Sequence, residues 1–281
     1  MKSIVSGAAL ALVVAGSAVQ SAPALAQIPP DLRNPQIAIS YVEPRTAAYR
    51  PIYERLKKRE VLEELRAFLA PLRLPKTLEV KTAECGATSL PYKAGGAVTV
   101  CYEYIAMIER AAPATWVPVG RVAFVRQYAI AGAFIHAMLH DVALATFDIL
   151  EIPVLGLEEH AADRVAGYIM LQFGKDVAYK TLMGTAWFLA QTSYSGMGEF
   201  SNAHGRDLDA QRFYNLLCVA YGGDKTYFAF LKNELKDRAA NCEGEYQQLQ
   251  YSFNKTFLPH IDRELVAKVR AVEWLKADDG K

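Results

Sequence analysis

The amino-acid sequence predicts an α+β fold in which helices predominate, with a small sheet in the first half and a pair of helices facing each other across a short reversal. Three observations carry this expectation. Apolar residues recur at helical spacing over most of the chain beyond residue 119. Runs rich in β-branched residues, 37–42, 77–81 and 99–104, all lie before that point. Pro153 and Gly156 interrupt a helical pattern between His140 and Glu158, the punctuation of a chain reversal.

The first 26 residues read as a secretory signal rather than as part of the fold. Lys2 precedes an apolar run from Ile4 to Val19, and Ala24, Leu25 and Ala26 supply small residues for cleavage before Gln27. The destination is then the periplasm or the outside of the cell, with 27–281 expected to form a single domain. Of 31 basic residues, removal of Lys2 leaves 30 against 30 acidic ones. That balance gives no electrostatic reason to expect nucleic acid or an anionic membrane as partner. The stretch carrying His136 comes nearest to a membrane span, but Arg126, both histidines, Asp141 and Asp148 argue against it, so the mature chain is expected to be soluble.

Residues 27–44 read as an extended leader containing the first strand, and 49–70 as one amphipathic helix stopped by Pro71 and Pro75. Strand 77–81 follows, then strand 99–104, which passes into a helix ending near Arg110. The four cysteines suit an oxidising compartment, and without a Cys-x-x-Cys spacing they read as disulfides rather than as a zinc site. Four cysteines allow three pairings; the expected one has the turn-like Ala94-Gly95-Gly96-Ala97 bringing Cys85 to Cys101, with Cys218 paired to Cys242. Each closure is expected to stabilise by about 3 kcal/mol in the chain-entropy model. Helices are expected over 119–148 and 158–173, and mostly helical structure thereafter. The glycine-rich 193–205 is the longest irregular stretch in this second half, where a lip over a pocket is expected.

The chemistry gathers on the helix pair. His136 and His140 lie four apart, one turn on the same helix face, so both imidazoles reach one point. Zinc with three protein ligands commonly takes two histidines and a carboxylate. Glu159 is the candidate carboxylate, and Asp163, one turn further, is placed to accept the free ring N–H of a ligating histidine. The reach is feasible: the first helix climbs roughly 10 Å past His140, and a nine-residue return over 148–156 spans up to about 30 Å. In the His-Glu-x-x-His arrangement the glutamate is the general base for the attacking water. Here that position is Ala137, whose methyl group accepts no proton.

This arrangement resembles the gluzincin metallopeptidases, whose third ligand and supporting aspartate come from a Glu-x-x-x-Asp helix after the histidine helix. More narrowly, the chain resembles a family of secreted bacterial proteins of metallopeptidase type known mainly as a domain of unknown function. The matching pieces are Glu84-Cys85-Gly86, Cys101-Tyr102-Glu103, the segment from Leu155 to Asp163, His204, and the segment from Gln211 to Cys218, within roughly 75–260. The resemblance implies a zincin-like fold, a zinc cofactor and a peptide or protein as substrate or ligand. By the same analogy, 98–101 is the candidate edge strand along the cleft. Two departures stand out: Ala137 breaks the family's His-Glu-x-x-His, and His160 replaces an acidic residue.

Two further residues complete the candidate set. His204 reads either as a donor to a developing oxyanion in the cleft or as an inert loop histidine beside Asp207. Asp141, four residues after Ala137, is the one candidate for a substitute base, although it starts about 6 Å too far along the axis. His160 and His260 read as surface residues. Three functions follow: a zinc-binding, catalytically impaired peptidase-like protein, an active metallohydrolase with an unusual base, and a metal-free secreted interaction domain.

Overall fold

The computed structural model describes residues 29–89, 91–113, 117–119, 122–124, 126–194, 209–272 and 274. Residues 1–26, which the sequence suggests are a secretory signal, and His204 lie outside the described residues. The fold is mostly helical with a small three-stranded parallel sheet. Strands β1 (Ile37–Tyr41), β2 (Leu78–Ala83) and β3 (Val98–Cys101) lie in that order, so β1 and β3 are the edges of this sheet among the described residues. Register aligns Ile37 with Leu78, Val80 with Val98 and Ala83 with Cys101. Leu78, Val80 and Thr82 alternate into the core, the period-2 burial of a sheet covered on one face.

Parallel neighbours need a crossover, and the one between β1 and β2 holds two helices where the sequence suggested one. Helix α1 (Arg50–Lys58) stops and α2 (Val61–Phe68) begins after Glu60, whose φ is +51°. The reason is a tertiary contact: the Tyr41 hydroxyl accepts the Leu62 N–H at 2.8 Å and donates to Glu63 at 2.6 Å. A residue on β1 thus supplies what the first turn of α2 otherwise lacks.

The crossover from β2 to β3 is short. Because Ala83 pairs with Cys101, Cys85 arrives beside it and the Cys85–Cys101 disulfide forms with Cα atoms 5.5 Å apart. The two cysteines are therefore joined across parallel strands. Flanking carboxylates fix the loop: Glu84 accepts the Arg45 and Thr46 N–H groups, and Glu103 accepts those of Cys85 and Gly86. The far side of the loop is docked on the central helix, where Asp148 accepts from the Tyr92 hydroxyl and the Gly95 N–H.

Helix α3 (Tyr102–Ala111) leads to an antiparallel pair, β4 (Val117–Val119) and β5 (Val122–Phe124), which occupies residues the sequence suggested would open the histidine helix. That helix, α4 (Arg126–Ile149), is the centre of the molecule. It is long and apolar enough to cross a membrane, but most of its apolar surface is buried in the protein core. It meets α6 (Lys175–Tyr194) at backbone contact. A Cβ added to Gly132 would lie 2.3 Å from the Thr181 carbonyl oxygen, and one on Gly184 only 1.9 Å from that of Tyr128. Thr185 donates to the Gly132 carbonyl at 2.9 Å, so the rotation of α4 about its axis is fixed. Helices α5 (Glu158–Met170) and α7 (Asp209–Gly223) pack through Gly167, and α8 (Cys242–Thr256) is tied to α7 by the Cys218–Cys242 disulfide.

Candidate metal centre

The reversal between α4 and α5 falls where Pro153 and Gly156 place it, and Gly156 takes φ +104°, open to glycine at no steric cost. Fixed by the α6 contact, α4 turns His136 and His140 inward, 4% and 9% exposed. Helix α5 opens with Glu158 and Glu159, acids suited to the positive end of the dipole, and carries Asp163 one turn on.

The structure brings His136, His140, Glu159 and Asp163 together. His140 lies between the two carboxylates, its Nδ1 2.8 Å from Asp163 Oδ1 and its Nε2 2.9 Å from Glu159 Oε2. His136 Nε2 is 3.6 Å from the same Asp163 oxygen. The two imidazole centroids are 6.3 Å apart with planes tilted by 32°. Burial opposes charge on both rings, with different outcomes. For His136 burial wins and pushes the imidazole down to about 3, against the pull of Asp163. For His140 burial is outweighed by hydrogen bonds to Asp163 and Glu159, which raise it to about 9. At neutral pH His140 is therefore an imidazolium that donates from both nitrogens, and His136 is neutral.

Asp163 is held by a residue that the sequence reading did not single out. Arg212, on the first turn of α7, donates Nε–H to Oδ2 at 2.7 Å and Nη2–H to Oδ1 at 2.9 Å, a bidentate pair. Burial alone would raise the Asp163 carboxyl, but Arg212 and His140 hold it well below the usual carboxylate range. Arg212 lies inside the Gln211 to Cys218 segment that carries the family resemblance, which is the signal that pointed to it.

Two imidazoles and a carboxylate from facing helices are the donor types that zinc takes. A ligating nitrogen and oxygen stand roughly 3.3 Å apart around a tetrahedral zinc. His140 Nε2 and Glu159 Oε2 are already close to that spacing, with a proton between them. Among the described residues, the group whose donor atoms all lie within 4.8 Å of one another is Cys85, Cys101 and Glu103, whose sulfurs are bound in the disulfide and offer no thiolate; His136, His140 and Glu159 are not drawn that close together.

Asp141 is half-buried and, among the described residues, shares no hydrogen bond with His136, His140, Glu159 or Asp163. Ala137 is half-buried beside His136. His160, in the first turn of α5, and His260, whose carbonyl accepts the Arg73 N–H, are half-buried rather than exposed.

A mostly helical fold with a small parallel sheet thus holds a helix pair that gathers two histidines and two acids. Residues 41–257 match the model of the family described as "Putative metallopeptidase", and the chain belongs to that family. Comparison with curated proteins and with solved structures returned no match.

Proposed function

We propose that this chain is a secreted, zincin-like protein that holds one zinc ion with His136, His140 and Glu159 and binds peptides beside it, with hydrolysis impaired at Ala137. The observation that carries the reading is the bracketing of His140 by Glu159 and Asp163, from one face of the next helix. In this reading Glu159 exchanges the shared proton for the metal, and Asp163 keeps the Nδ1 hydrogen bond that fixes the tautomer. Arg212 holds Asp163 in turn. Bound zinc supplies Lewis-acid polarisation of a peptide carbonyl. Secretion rests on the 1–26 segment and agrees with the two disulfides.

What the chain lacks is a group to take and return a proton. A positioned general base contributes about 10² to 10⁴ in rate, and the Ala137 methyl contributes none of it. The unmodified, zinc-loaded chain is therefore expected to hydrolyse peptides at background. Ala137→Glu is expected to raise chelator-sensitive peptidase activity at least about a hundredfold. Robust chelator-sensitive turnover by the unmodified chain, abolished by Asp141→Asn, would instead move the base to Asp141.

A further inference from the structure

A cavity of about 470 Å³ opens on the side of α4 away from the histidines. Phe134 and Met138 line it, and each lies two residues from His136, some 200° round the helix. The cavity and the histidine site thus share α4 as a wall and share no side chain. Its size falls in the range of ligand-binding pockets, about 300 to 1,000 Å³.

The lining is divided. The floor is made by Leu56, Ile105, Phe134, Met138, Leu139 and Trp274, all buried. The mouth is made by Arg55, Arg59 and Arg126, all exposed, while the acids Glu64 and Glu109 sit half-buried behind them. Arg55 pairs with Glu109, and Arg126 donates to the Ala112 and Glu109 carbonyls that end α3. These bonds hold guanidinium groups at the opening, and three arginines against two glutamates leave a net positive rim. Burial pushes the Glu64 carboxyl up, while the Arg59 guanidinium pulls it the other way.

We propose that this cavity binds a single-tailed amphipathic carboxylate, with its hydrocarbon tail on the apolar floor and its carboxylate at the arginine mouth. A cation of the same length meets the wrong sign at the rim. A neutral hydrocarbon fills the floor and leaves the guanidinium groups without a ligand partner. The inference does not rest on the zinc reading, since no residue of the proposed zinc site touches the cavity.

The probe is dodecanoate below its micellar range, titrated calorimetrically into the mature chain with and without chelator. Saturable one-to-one binding that survives the chelator is expected, with dodecyltrimethylammonium weaker by about tenfold or more. Arg59→Gln at the rim should weaken dodecanoate binding about three- to tenfold without affecting zinc content. Leu65→Trp, which fills the cavity from α2, should abolish it, and Ile130→Phe does the same from α4 if the first variant does not fold. Absence of saturable binding overturns the proposal. Equal affinity for the cationic probe, or binding indifferent to both Arg59→Gln and cavity filling, overturns it as well.

Discussion

Arg212→Met removes the cation that the candidate site depends on while leaving a side chain of similar reach. Among the described residues, the Asp163 carboxylate, its side chain 12% exposed, would then keep the hydrogen bond from His140 alone. Stranding one partner of a buried ion pair typically costs about 3 to 5 kcal/mol. Here His140 remains and the Arg212 side chain is 27% exposed, so water replaces part of the loss. The expected cost is about 2 to 3 kcal/mol. For a chain of this size that corresponds to a drop in Tm of roughly 4 to 12 °C, measured on metal-free protein by calorimetry. In the double variant with Asp163→Asn no buried charge is stranded, so the two losses should fall short of additivity by about 1 to 2 kcal/mol. A single variant within about 0.5 kcal/mol of the parent, or strictly additive losses, would refute the view that Arg212 holds Asp163.

Four further outcomes are expected. Because His140 is protonated below about pH 9, zinc binding at pH 7 should release about one proton, read from the buffer dependence of the calorimetric heat. In the metal-free chain the raised His140 contributes stability that is full below about pH 6.5 and is lost as pH climbs to about 9. His136, depressed to about 3, removes stability as pH falls from 6.5 toward 3. Tm should therefore peak near pH 6.5, and a monotonic rise to pH 9 would contradict the ion pair. Gly184→Ala drives a methyl toward the Tyr128 carbonyl oxygen, which cannot rotate away, and should cost about 3 kcal/mol in denaturant unfolding. Gly244→Ala, whose methyl would meet nothing within 4 Å, should gain up to about 1 kcal/mol.

What could be read from the sequence follows from how local each signal is. The three sheet strands, the α4 to α5 reversal and the gathering of His136, His140, Glu159 and Asp163 depend on period and punctuation within one or two elements. The break at Glu60 was not legible, because no glycine or asparagine marks it and its support comes from Tyr41, on another element. Parallel pairing of β2 with β3 was hidden in a connection whose glycines read simply as a turn. Arg212 lies 49 residues from Asp163, and only the packing of α7 on α5 makes an ordinary helical arginine the partner of a buried acid.

The most direct test is elemental analysis of the mature chain purified without chelator, beside Glu159→Ala prepared in the same way. About one zinc per chain, lost or strongly reduced in Glu159→Ala, is the predicted result. Asp163→Ala should bind zinc roughly 10- to 100-fold more weakly. No stoichiometric metal in the unmodified chain, or a metal content that Glu159→Ala leaves unchanged, would contradict the proposed ligand set.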